Sequence, residues 1–202
     1  MNSQYLYEYS NILERVLSFG YEYNYSTPSL ERLISYSSYF QSIEKDSSGF
    51  APIINSDELI KELFPDIKAD LLNVRSYNQC LWAAEAYLRI QGTTGLTFEC
   101  IFLYIPINKM YEYFPLYHEM DFSHIIKEFK RLFNEKSVLG LLIEKYHYSL
   151  TDIAKQIDVS YNVLTSLKQR KRDIKKTSVE TVIKLSQVFN VRIETVAESK
   201  IL

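Results

Sequence analysis

The stretch Ser149-Leu150-Thr151-Asp152-Ile153-Ala154-Lys155-Gln156-Ile157-Asp158-Val159-Ser160-Tyr161-Asn162-Val163-Leu164-Thr165-Ser166-Leu167-Lys168-Gln169-Arg170 decides how its region folds. Ser149 followed three residues later by Asp152 is a capping-box-like start. Ile153, Ala154 and Ile157 then recur at helical spacing and predict a helix over 150–157. Asp158-Val159-Ser160 follows as a three-residue turn. Ser160 is placed to cap a second helix over about 161–170, with Val163, Leu164 and Leu167 inward. Two short helices that cross sharply must approach closely, and Ala154 is the small residue that permits it. Asp158 falls where the chain reverses, and Asp tolerates left-handed backbone better than most non-glycine residues.

Working outward, a helix over about 138–146 precedes this pair. Thr177-Ser178-Val179-Glu180 is a second capping box, opening a helix with Val179, Val182, Ile183 and Leu185 inward and ending at Phe189-Asn190. Residues 192–197 can form a fifth, short helix. The expected domain spans 136–202.

Leu150, Ile153, Ala154, Ile157, Val159, Leu164 and Leu167 together resemble the helix-turn-helix of the XRE (Cro/lambda-repressor-like) regulators. The five-helix length suits that family, and the resemblance covers about a third of the chain. One departure is Asp158, where the family usually carries glycine. The resemblance implies a five-helix lambda-repressor-like domain whose 161–170 helix lies in the major groove of double-stranded DNA. It implies a site made of Ser160, Tyr161, Asn162, Thr165, Ser166 and Gln169, continued by Arg170, Lys171, Arg172, Lys175 and Lys176. At 100° per residue, Asn162, Thr165, Ser166 and Gln169 point away from Val163 and Leu167. Asn and Gln bond adenine edges in a bidentate way, and Ser or Thr meets bases or phosphates. Five cations in residues 170–176 would neutralise phosphates while carrying little sequence information. A solvated basic loop used for protein contacts is the plainer alternative.

Residues 1–135 are expected to form a separate helical, tyrosine-rich domain for dimerisation, sensing or partner binding. Helices are predicted over about 4–18, broken by Gly20; 29–43; a short one capped by Asn55 or Ser56; 73–90; and 122–133 behind Asp121. Asp46-Ser47-Ser48-Gly49 is a loop, and Gly92-Thr93-Thr94-Gly95 a turn. Leu96 to Ile107 matches a strand buried on both faces or a helix, and scarce turn chemistry favours helix. Asn108 can cap a short helix through Phe114. The chain has 17 tyrosines, grouped as Tyr5/Tyr7/Tyr9, Tyr21/Tyr23/Tyr25 and Tyr111/Tyr113/Tyr117. Amphipathic aromatics at core edges and interfaces explain these more cheaply than a stacking surface.

With 202 residues, 47% hydrophobic and 24% charged, the chain has the composition of a globular protein and not of a disordered one, and with only five glycines and five prolines for tight turns a mainly α fold is expected. No apolar run reaches the roughly 18 residues that a spanning helix needs, so no membrane partner is expected. Two cysteines make neither a disulfide framework nor a four-ligand zinc site, and a reduced, cytoplasmic setting follows. His118, Asp121 and His124 are the only His/carboxylate grouping, and on one helix the two histidines diverge by about 120°. No nucleophile elbow or phosphate-cradling loop occurs. The expectation is no enzyme, no metal and no cofactor. Charge is split: residues 1–148 carry 13 Lys/Arg against 19 Asp/Glu, and residues 149–202 carry 10 against 6. The function expected is a sequence-specific DNA-binding repressor, most simply a homodimer. The rival is an antitoxin that neutralises a toxin through its acidic N-terminal region and represses its own promoter through the basic one.

Overall fold

The computed structural model describes residues 3–45, 54–67 and 76–198, with side chains from residue 6 onward. It is all-helical, as expected: the described residues form thirteen α-helices and no strand. Contacts divide the chain into two compact units, residues 1–127 and 128–202. The division falls eight residues before the sequence-based boundary at 135, because Phe129 and Phe133 are buried and Arg170 packs on Phe133.

In the first unit, α1 (Ser3–Glu22) runs along α5 (Asn78–Thr94), its largest helix–helix contact. Leu13, Val16 and Leu17 are fully buried, as are Ala83, Ala84, Tyr87 and Leu88. Gly20 does not break α1. A Cβ there would stand 2.6 Å from Leu30 Cδ2, so this glycine is where α2 comes close. The helix expected over 29–43 is two, α2 (Thr27–Tyr36) and α3 (Ser38–Lys45). Ser37 turns extended between them (φ −63°, ψ 129°), and its N–H closes α2 on the Leu33 and Ile34 carbonyls. α4 (Ser56–Leu63) is capped by Asn55, whose Oδ1 accepts the Asp57 amide at 2.9 Å.

α5 begins at Asn78, not near 73, and runs on to Thr94, so that Gly95 alone makes the expected turn at φ 69°. Leu81 is 40% exposed, while Cys80, Trp82 and Ala86 are buried on other sides. A helix buried nearly all round has no clean stripe to read. Leu96 to Ile107 contains α6 (Phe98–Tyr104), the helical alternative. α7 (Ile107–Tyr117) starts before Asn108, with Pro106 at its cap position. Two carboxyl groups reach across the unit: half-buried Glu44 Oε1 takes the Phe98 amide at 2.6 Å and buried Glu31 Oε1 takes the Ile107 amide at 2.9 Å. Carboxyl oxygens therefore meet the first amides of α6 and α7, where helix dipoles favour negative charge. The 46–49 loop and the segment 73–75 lie outside the described residues.

The second unit takes the end of α8 (Ser123–Glu135), then α9 (Val138–Tyr146), α10 (Leu150–Ile157), α11 (Tyr161–Lys168), a 3-10 turn at Ile174–Lys176, α12 (Val179–Phe189) and α13 (Ile193–Ala197). Ile153, Leu164, Leu185 and Phe189 are at most 1% exposed and make its core with Phe129, Phe133 and Leu142. Val179 departs from expectation: as the first residue of α12 it is 73% exposed. Ser178 is the cap of α12, and Glu180 pairs with Lys184 at 2.7 Å instead of closing a capping box.

Candidate nucleic-acid interface

The α10–α11 corner is built by local backbone chemistry. Ser149 Oγ accepts the Asp152 amide at 3.1 Å and donates to the Asp152 carboxylate at 2.8 Å, fixing the start of α10. Asp158 stops that helix in the left-handed region (φ 54°, ψ 53°), and the Val159 amide returns to the Ala154 carbonyl at 3.0 Å. Ile153, Ile157, Leu164 and Leu167 then face one core, each at most 4% exposed.

On the opposite face of α11, Tyr161 is 51% exposed, and Asn162 and Gln169 are exposed. The remaining predicted residues divide. Ser166 is half-buried, and its hydroxyl donates to the Asn162 carbonyl at 2.8 Å. Thr165 departs from expectation: its hydroxyl oxygen is buried with no hydrogen-bond partner among the described residues, so it does not offer itself to an outside ligand. Ser160 holds the cap position without a side-chain bond, because its hydroxyl takes no amide of the first turn. The helix also ends two residues earlier than expected, at Lys168. Arg170 bends back at φ 56°.

That bend shapes the basic loop. The Lys171 and Arg172 amides both return to the Ser166 carbonyl, at 2.9 and 3.2 Å. Asp173 Oδ1 accepts the Lys175 amide at 3.0 Å, and Ile174 is 9% exposed beneath the 3-10 turn. Lys171, Arg172, Lys175 and Lys176 are exposed, and none has a side-chain partner among the described residues. Some other cations of the unit are paired: Arg131 bonds Glu128 and Glu135 at 2.8 and 2.7 Å, and Lys136 meets Glu144 at 3.2 Å. Lys184 likewise holds the Glu180 carboxyl below the usual carboxylate range.

Arg170 differs from the other loop cations. Its guanidinium lies 5.0 Å from the Phe133 ring centroid and bonds the Asn134 carbonyl at 3.3 Å. It is a strut between the loop and α8, a role invisible in a run of like charges. Ser137 adds a second tie: its Oγ donates to the Lys168 carbonyl at 2.7 Å while accepting the Gly140 amide at 2.9 Å. One hydroxyl thus caps α9 and secures the end of α11.

In the first unit, the His118/Asp121/His124 grouping serves local structure. His118 Nδ1–H donates to the Phe114 carbonyl at 2.9 Å, and Asp121 Oδ1 accepts the Ser123 amide at 2.8 Å. Among the described residues no three His, Cys, Asp or Glu side chains are grouped to hold a metal ion. Cys80 and Cys100 are buried thiols, and burial pushes the Cys80 pKa up. No described helix is long and apolar enough to cross a membrane. Comparison with family models, curated proteins and solved structures finds no match.

Proposed function

We propose that residues 128–202 are an XRE-like DNA-binding domain and that the chain is a sequence-specific transcriptional repressor, working as a homodimer. One observation carries the reading. A helix pair turned by left-handed Asp158 leaves Tyr161, Asn162 and Gln169 outward, directly followed by four exposed cations with no side-chain partner among the described residues. In that reading Asn162 and Gln169 contact base edges, and Lys171, Arg172, Lys175 and Lys176 take phosphates. Arg170 positions the loop. Charge supports it: residues 128–202 carry 14 Lys/Arg against 9 Asp/Glu, a balance of +5. The dimer contact is assigned to the first unit, where Tyr7, Tyr36 and Leu116 are 42–69% exposed. The test is fluorescence anisotropy of the full chain on a duplex selected from a random library and on a scrambled one, at several salt concentrations. Binding to neither at low salt refutes the proposal.

The first unit's own charge favours a second reading. Residues 1–127 carry 9 Lys/Arg against 16 Asp/Glu, a balance of −7, which suits a basic protein partner such as a toxin. A basic partner recovered in stoichiometric amount with the tagged full chain from its host supports an antitoxin. Recovery of the chain alone supports the plain repressor.

A further inference from the structure

Within the second unit, α8, the start of α9, the end of α11, the basic loop and α13 enclose an open cleft of about 1060 Å³. Its volume is at the upper end for small-molecule sites, which run to roughly 1,000 Å³. The walls are of two kinds. Phe133, Val138, Leu139, Leu167, Ile174 and Val196 contribute apolar surface. Lys130, Lys171, Arg172 and Lys176 stand around it, with Arg170 bonded inward and the carboxylates of Asp173 and Glu198 as counter-charges. Lys130, like the three loop cations, has no side-chain partner among the described residues. A cleft lined by apolar side chains and by more cations than carboxylates matches a ligand with an apolar body and one anionic end. A cation, or a neutral apolar molecule, would leave those charges unanswered.

We propose that this cleft binds a small amphipathic anion, a carboxylate or sulfonate on an apolar body, with its head among Lys130, Lys171, Arg172 and Lys176. Three of those four cations also stand in the phosphate set above. Resting on that reading, the bound anion competes with the duplex, and the domain releases DNA when the ligand accumulates.

Lys130 and Lys175 separate the two roles. Lys130 lines the cleft but lies outside the phosphate set, whereas Lys175 belongs to the phosphate set but does not line the cleft. The probe is decanoate below its micellar concentration, titrated calorimetrically into the full chain, with decyltrimethylammonium as the control of equal chain length and opposite charge. Decanoate should saturate one site per chain, and the cationic control should not bind. Lys130→Glu should weaken decanoate roughly tenfold or more, while Lys175→Ala leaves it unchanged. Lys176→Glu serves if circular dichroism shows that Lys130→Glu is unfolded. Equal binding of both amphiphiles, or decanoate binding unaffected by either Glu variant, overturns the proposal. So does affinity that rises on dilution of the protein, since another copy of the chain would then be the occupant. In the presence of the selected duplex, decanoate should lower the anisotropy. Decanoate bound with no loss of duplex overturns the competition. Decanoate bound by a chain that binds no duplex upholds the cleft and refutes the DNA reading alone.

Discussion

Glu31 Oε1 accepts the amide of Ile107 at 2.9 Å, joining α2 to the first turn of α7 across a long stretch of chain. The carboxylate is 6% exposed and stands where the dipole of α7 is positive. Replacing it with Ala leaves a buried amide without an acceptor. Glu31→Ala should lose about 1–3 kcal/mol of stability, and Glu31→Gln, which keeps a carbonyl oxygen, distinctly less. Urea unfolding followed by the fluorescence of Trp82, which is 7% exposed in α5, measures both. Equal losses would mean that the amide is not the partner that matters.

Asp158 closes α10 at φ 54°, a conformation that costs an L-residue energy and glycine almost none. Asp158→Gly should therefore be neutral or stabilising by up to about 1 kcal/mol. Asp158→Val should destabilise by about 1–2 kcal/mol, because a β-branched side chain fits the left-handed region badly. Thermal unfolding of the two variants beside the parent decides it. A Gly variant that melts well below the parent would show that the carboxylate, and not the backbone, is what the turn needs.

Gly20 lies inside α1, where alanine would ordinarily gain up to about 1 kcal/mol of helix propensity. Here the new Cβ would stand 2.6 Å from Leu30 Cδ2, and Leu30 is only 2% exposed with little room to move. Overpacking at about 1–3 kcal/mol wins, so Gly20→Ala should lower stability. Trimming the neighbour should relieve it: Leu30→Val should cost less in the Gly20→Ala background than alone, as a double-mutant cycle would show.

These positions show where the sequence is legible and where it stops. Caps and turns made by neighbours in the chain are readable, as at Ser149 and Asp158, because the chemistry lies within three or four residues. Gly20 reads as a breaker in one dimension, and only the approach of Leu30 explains it as a packing residue. Glu31, Glu44 and Arg170 satisfy groups in distant elements, so their charge alone points to a surface role they do not have. In the candidate site, exposed Asn162 and Gln169 follow from helical periodicity. Thr165 does not: periodicity puts it on the outer face, yet its hydroxyl oxygen is buried.

Burial holds the phenol protons of Tyr39, Tyr87 and Tyr111 well above the ordinary tyrosine range near 10, with Cys80 beside Tyr111 adding to the effect. In the unfolded chain the same groups ionise near pH 10, so above that pH the folded state binds more protons than the unfolded one. Stability from these groups is complete below about pH 10 and is lost as pH rises past it. The urea midpoint should fall between about pH 9 and about pH 11, and fall less steeply in Tyr111→Phe. An unchanged slope in that variant would mean that Tyr111 ionises as freely folded as unfolded.

Groove reading and a merely basic surface differ in what each substitution does to affinity and to its salt dependence. Asn162 and Gln169 are exposed on the outer face of α11 and its cap. Changing either to Ala should weaken the selected duplex by about 1–3 kcal/mol and leave a scrambled one nearly unaffected. Lys171, Arg172, Lys175 and Lys176 should behave in the other way. Each change to Ala should weaken both duplexes alike and lower the slope of log affinity against log salt by about one. Arg170→Ala should lower the thermal midpoint together with affinity for both duplexes, because it removes the strut on Phe133 and Asn134. Anisotropy across a salt series, paired with melting curves of the same preparations, separates the three patterns. If the α11 changes weaken both duplexes equally, base reading by this helix is wrong. If the loop changes leave the slope untouched, the cations do not meet phosphate.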